Sequence, residues 1–181
     1  MIAPKNFHEA IILSKWLTAA TYLGVFTIPF LLGFPQTLIG TLVNAFLVLS
    51  AVIIKDPKKV LPLVFLPSVG VLARGLVFGP FTFLIFYMLP FIWFSNAVLV
   101  WMTDRLYLKM GMNYLSSLLI SSLVKSLALY LAAFGWVSLG LLPRVFLQTM
   151  GPIQFLTAIL GGLLAYGVIK SLEKSSGSKL D

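Results

Sequence analysis

Long apolar runs alternate with short polar clusters along the chain, and the most informative run covers residues 114–134. Ser117, Ser121 and Lys125 recur at a spacing of four within it, with Ser122 and Ser126 beside them. Leu115, Leu118, Leu119, Leu123 and Leu127 fill most other positions. Residues four apart share one face of an α-helix, so the spacing predicts a helix with one polar side and a leucine-rich remainder. Lys125 falls near the middle of this run, about 14 Å from its carboxyl end at ~1.5 Å per residue. A cation at that depth of a bilayer costs roughly 2.5–3.5 kcal/mol on insertion scales, so it has to face protein, water or a ligand.

Five further runs predict helices over residues 16–32, 36–54, 60–73, 81–102 and 152–169. Pro29 lies near the far end of the first, where a missing amide is easily tolerated. The second carries Gly40, Thr41 and Asn44 among branched apolar residues. The third holds Pro62, Pro67 and Gly70 and is only about 21 Å long at ~1.5 Å per residue, so it must be tilted, broken or shielded by neighbours. Pro90 and Asn96 fall within the fourth. In the last, Ala158, Gly161, Gly162 and Ala165 permit close helix contact of the small-xxx-small kind. Charged loops are expected at 55–59 and 103–113. The mostly apolar stretch 135–151, with Trp136, Pro143, Arg144 and Gln148, reads as a partly inserted loop or a surface helix. Neither an internal repeat nor a linker is visible, so residues 1–181 are expected to form one integral membrane domain.

Composition narrows the class. Hydrophobic residues make up 60% of the chain and charged residues 10%, with a mean hydropathy of +1.03, against about 25% charged in ordinary soluble domains. This is the composition of an all-α membrane protein with six transmembrane helices. The net charge of +8 points to membrane topology and not to nucleic acid, since no soluble basic domain accompanies it. Of the 13 basic residues, Lys5, Lys15, Lys55, Lys58, Lys59, Arg105, Lys109, Lys170, Lys174 and Lys179 share one side when both termini are cytoplasmic. Arg74 and Arg144 fall on the other, and Lys125 lies within the membrane. That asymmetry follows the positive-inside rule and predicts that both termini lie in the cytoplasm, with the plasma membrane as the expected location.

Candidates for chemistry are few. The acids are Glu9, Asp56, Asp104, Glu173 and Asp181, all assigned to cytoplasmic segments. There is one histidine, His8, and no cysteine. No carboxylate dyad, metal-ligand set or catalytic triad emerges, so neither an enzyme nor a bound cofactor or metal is expected. Two readings of Lys125 stand. It either bonds a carbonyl or serine inside the bundle or reaches a water-filled vestibule, or it helps form a cavity for an anionic or strongly polar ligand. The absence of any intramembrane carboxylate favours the second. Around it, Ser121, Asn44 and Asn96 are candidate ligand contacts as well as candidate interhelical hydrogen bonders. Arg74 and Arg144 are candidates too, with anchoring to lipid phosphate as the competing role.

Three stretches carry a resemblance: Phe34-Pro35-Gln36-Thr37-Leu38-Ile39-Gly40-Thr41-Leu42-Val43-Asn44-Ala45, then Leu66-Pro67-Ser68-Val69-Gly70, then Leu89-Pro90-Phe91-Ile92-Trp93-Phe94-Ser95-Asn96-Ala97. Together they resemble the substrate-binding S components of energy-coupling factor (ECF) transporters. The resemblance implies a six-helix subunit that captures a small-molecule ligand, such as a vitamin or a related anion, from the outer face. It also implies a transmembrane scaffold subunit and two ATPase subunits as partners in the lipid bilayer. The alanine-xxx-alanine pair that this family carries on its first helix has only Ala10 with Ser14 and Ala20 with Gly24 as counterparts. A non-catalytic structural subunit of a larger membrane complex is the alternative, in which Lys125 meets an acid on a neighbouring protein.

Overall fold

The computed structural model describes residues 7–32, 35–54, 57–75 and 79–176. Lys5, Lys55, Asp56, Lys179 and Asp181 lie outside them, as do the side chains of His8, Glu9 and Glu173. Seven α-helices follow in order: α1 (Phe7–Leu31), α2 (Gln36–Ile53), α3 (Pro57–Arg74), α4 (Leu89–Thr103), α5 (Tyr114–Ser138), α6 (Val145–Met150) and α7 (Pro152–Ser176). No strand occurs among the described residues. Four helical stretches are long and apolar enough to cross a membrane: Gln36–Ile53, Phe83–Lys109, Tyr114–Ser138 and Val145–Leu172. Thr18–Leu31 is a shorter apolar helix.

Local chemistry explains several boundaries that the sequence pattern misplaces. The expected span 81–102 is composite: a 3₁₀ stretch, Gly79–Met88, leads into α4. Pro90 sits in the first turn of α4, where no intrahelical donor is required of it. The charged loop expected after this span is instead a π-helical turn, Asp104–Lys109. Its wider winding brings residues five apart together, and Lys109 pairs with Asp104 at 2.7 Å. Both side chains are solvent-accessible, so the pair contributes little to stability.

α5 runs four residues past its expected end. Asn113 accepts from the Leu115 amide at 2.9 Å at its start, and Gly140 takes a positive φ of 71° just past its end. There the amides of Leu139, Gly140 and Leu141 bond back to Gly135, Val137 and Trp136, a glycine-terminated stop. The stretch 135–151 is therefore the end of α5, a tight turn and the short α6. α3 continues through both Pro62 and Pro67 as one 18-residue helix, about 27 Å long.

α5 is inside out relative to a soluble helix. Ser117, Ser121, Ser122, Lys125 and Ser126 are buried, while Leu115, Leu119, Leu123, Leu127, Leu131 and Phe134 are each more than half exposed. An exposed leucine stripe backed by buried serines and a lysine suits a helix whose outer solvent is hydrocarbon. Leu118, expected among the outer leucines, is buried instead, because it packs onto Gly162 of α7.

Two apolar clusters fill the bundle. One gathers Val25, Leu47, Val48, Leu63, Leu99, Leu118 and Ile169; the other gathers Ile85, Met88, Leu129, Ala133, Phe146 and Met150. Lys125 lies on α5 between Leu118 of the first and Leu129 of the second. The small residues of α7 act as expected: Ala158 and Ala165 are fully buried, and Gly161 lies against the backbone of α2.

A Cβ at Gly161 would come within 2.5 Å of the Thr41 carbonyl oxygen and 2.7 Å of the Ala45 nitrogen. Gly161→Ala is therefore expected to destabilise the protein by about 1–3 kcal/mol through overpacking. At Gly135 a Cβ meets nothing within 4 Å, so Gly135→Ala is expected to be neutral or to stabilise by up to about 1 kcal/mol through helix propensity. Thermal unfolding of both variants in detergent micelles measures the contrast; equal effects would remove the close α2–α7 approach.

Candidate functional site

The polar face of α5 meets α2 and α4 at Lys125, which is 2% exposed. Its Nζ donates to Asn44 Oδ1 at 2.5 Å and to Asn96 Oδ1 at 2.8 Å. The lysine settles which way each amide faces, because only the oxygen end can accept from Nζ. The amide nitrogens then point outward. Asn44 Nδ2 donates to Thr157 Oγ1 on α7 at 3.2 Å, and Asn96 Nδ2 donates to the Val64 carbonyl on α3 at 3.2 Å. Thr157 passes its own proton to the Gln154 carbonyl. One side chain thus links α2, α3, α4, α5 and α7. Among the described residues no carboxylate lies within ion-pair reach of it.

Lys125, Asn44 and Asn96 also line a cavity of about 90 Å³, whose other polar walls are Gln36, Ser68, Gln154 and Thr157. The cavity occupies the half of the bundle where α1 and α3 end and α2, α4 and α7 begin. Asn44, Asn96, Lys125, Ser68 and Thr157 are buried, whereas Gln36 and Gln154 are half-buried. Gln36 precedes Asn44 by eight residues, about 12 Å along α2, so the amides of Gln36 and Gln154 stand toward the helix ends and the lysine forms the floor. Isoleucines, Val43, Val71, Leu129 and Met150 complete the walls. A few converging polar groups in an apolar cavity are the usual lining of a small-molecule site, here at a volume below the ~300–1,000 Å³ of most such sites.

The sequence candidates separate. The structure brings Lys125, Asn44 and Asn96 together. Ser121 is buried one turn away on α5, but its hydroxyl is spent on the carbonyls of Ser117 at 2.8 Å and Leu118 at 3.1 Å, and it does not line the cavity. Arg74 is elsewhere: its guanidinium donates to the Phe30 carbonyl at 3.0 Å and to that of Leu31. These are terminal carbonyls of α1, so Arg74 caps the end of a neighbouring helix, where a cation is also favoured by the helix dipole. Arg144 is exposed at the start of α6. Neither arginine lines the cavity.

Gln36, Ser68, Gln154 and Thr157 are the lining residues that the sequence candidates lack. All four are uncharged and polar: Gln36, Gln154 and Thr157 lie near the amino ends of their apolar runs and Ser68 near the carboxyl end of its own, which alternating helices bring to one level, and that shared level was the available signal. A second, larger groove of about 490 Å³ lies at the opposite end, between α2, α3 and α4. Its walls are apolar, and its charged residues, Asp104 and Lys109, already pair with each other.

Comparison of the chain with models of known families, with characterised proteins and with solved structures finds no match.

Removing one partner of a buried charge is expected to cost about 3–5 kcal/mol. Asn44→Leu and Asn96→Leu should each lower unfolding stability in detergent by that order. Lys125→Met should cost about 1–3 kcal/mol for each amide oxygen left unpaired. The triple variant should be more stable than the three single losses added together, since neither the ammonium nor an asparagine amide is then stranded. Strict additivity would show that the three side chains do not form one network.

Proposed function

We propose that this chain is the substrate-binding membrane subunit of an ECF-type micronutrient transporter, which captures a small polar or anionic solute from the outer face. The observation that carries this reading is the buried Lys125, held by two asparagines at the floor of a cavity with no acid among the described residues to neutralise it. Holding a cation at that depth is costly, and an anionic or strongly polar solute is the group that gains most from meeting it there.

In this proposal six helices cross the plasma membrane, α1 and α3 among them, and both termini are cytoplasmic. α1 and α3 then end, and α2, α4 and α7 begin, at the outer surface, so the cavity opens outward. The chain contains no Gly-x4-Gly-Lys-Ser/Thr loop, so the energy for release inward comes from partners, a transmembrane scaffold with two ATPases. Gly24 lies under the ring of Phe46 from α2 and so serves packing inside this chain, whereas Ala20 is exposed. The alternative of a purely structural subunit wanted Lys125 to meet an acid on a neighbouring protein. Lys125 is turned toward α2 and α4 and 2% exposed, which favours a small solute in the cavity over a side chain of a neighbouring protein.

The absence of cysteine makes labelling direct. Gln154→Cys is expected to react with a membrane-impermeant maleimide added outside intact cells, and Lys109→Cys only after the membrane is opened. Gently purified protein is expected to carry a small molecule detectable by mass spectrometry, lost in Lys125→Met. Labelling of Gln154→Cys from the inside only, or an empty protein that co-purifies with a foreign subunit, would overturn the proposal.

A further inference from the structure

The hydrogen-bonding capacity left over at the cavity floor narrows the chemistry of the solute. An ammonium has three N–H groups, and Lys125 gives two of them to Asn44 and Asn96. That leaves one. Both asparagine oxygens are occupied by the lysine, and each amide nitrogen, having given one proton to Thr157 or Val64, keeps a second. What remains at the floor is therefore donors around a positive charge.

Ser68 adds an independent observation. It is 3% exposed, it lines the same cavity, and its Oγ has no hydrogen-bond partner among the described residues. A buried hydroxyl without a partner is destabilising, so whatever occupies the cavity, solute or water, must satisfy it. Ser68 follows Pro67 on α3, so it lines the cavity from a different helix than Lys125.

We infer that the cavity selects a monoanionic carboxylate, with Lys125 and Ser68 binding its head and the apolar walls taking a short hydrocarbon body. This rests on the capture reading above. A carboxylate accepts only, through two oxygens with about four lone-pair sites, and so matches a floor made of donors. Its single charge is balanced by the one lysine. A phosphate monoester carries about −1.5 to −2 near neutrality, and neither arginine lines the cavity to meet the second charge. A cationic or purely donor solute would meet like charge. Ile39, Ile92, Leu129 and Ile153 give the body an apolar setting, and about 90 Å³ confines it to a few heavy atoms. Gln36 and Gln154, which can both donate and accept, are the groups placed to read a polar substituent on that body.

The test is binding by the purified full chain in nanodiscs, with propionate and butyrate each measured against propionamide and butyramide, and with dodecanoate as a probe of lipid-derived carboxylate. Carboxylates are expected to bind at least tenfold more tightly than their amides. Ser68→Ala should weaken butyrate about tenfold or more, in keeping with loss of a hydrogen bond to a charged group. It should leave the melting temperature without solute unchanged or higher, because it removes a hydroxyl that has no partner. A serine with a purely structural role would not separate those two readouts. Lys125→Met should abolish the preference for carboxylates, and Ser68→Ala keeps the test decisive if that variant fails to fold. Amides binding as well as carboxylates overturns the inference while the capture reading stands. Dodecanoate binding far more tightly than butyrate, in a Lys125-dependent way, places the carboxylate in the bilayer and overturns both the short body and capture of a soluble solute. No binding by any probe, with labelling from the inside only, overturns both.

Discussion

The contact on which the rest of the structure depends is the Lys125 ammonium held between two amide oxygens, Asn44 at 2.5 Å and Asn96 at 2.8 Å. In a low-dielectric interior a cation without compensation is among the most costly groups a fold can contain. Two amide dipoles do not cancel its charge, but they replace much of the water it leaves behind. The arrangement also extends outward, because each asparagine, once turned by the lysine, presents its nitrogen to a further helix. Thr157 on α7 and the Val64 carbonyl on α3 receive those protons. In such a chain each bond polarises the next, so the network is expected to hold its helices in one register more firmly than isolated contacts would.

The apolar contacts are arranged to let those polar groups meet. Gly161 brings α7 against the backbone of α2 at Thr41 and Ala45, the turn that carries Asn44. A bulkier residue would move Asn44 away from Thr157. Gly70 does the same for α3 and α1: a Cβ there would lie 2.6 Å from the Phe26 carbonyl. Arg74 then closes the end of α1. Its guanidinium supplies donors to carbonyls that have no amide partner of their own at a helix terminus. The prolines of α3 fit the same scheme. Pro67 leaves a carbonyl one turn earlier without its usual amide, yet the helix persists because neighbours on both sides hold it in place, and Ser68 is set at the cavity wall beside it.

Much of this was legible in the chain. The spacing of Ser117, Ser121 and Lys125 against the leucines of α5 gave the correct buried face, and the small residues of α7 announced close packing. Four of the helical stretches are apolar and long enough to cross a membrane, as their composition requires. Conformation within the runs was less legible. Hydrophobicity is indifferent to the choice among 3₁₀, α and π winding, so the composite path from Gly79 to Lys109 left no trace in it. The site was partly legible for a related reason. Asn44, Asn96 and Lys125 are anomalies within oily helices and stand out singly, whereas Arg74 looks equally anomalous and is spent on a helix end. Sequence marks which polar groups need a partner; only the packing of α1 against α3 tells which partner they take.

The same logic separates polar groups satisfied within their own helix from those with donors left over. Ser50, Ser95, Thr103 and Ser121 are buried too, yet each donates to a carbonyl of its own helix three or four residues back, the default for hydroxyls in an apolar bundle. Such residues need nothing from outside. Ser68 and Ser122 break that habit, but of the two only Ser68 lines the cavity, where Lys125 retains one N–H after serving both asparagines. Two groups on different helices with unspent donors, lining one cavity, set a chemical condition on what enters it: the occupant must accept hydrogen bonds, and it gains further by carrying negative charge. Stability alone would favour an internal acceptor at Ser68 and apolar side chains at positions 44, 96 and 125 together. Departures from the most stable arrangement that converge on one cavity are what a binding site produces, because groups committed to each other have nothing left to offer a ligand.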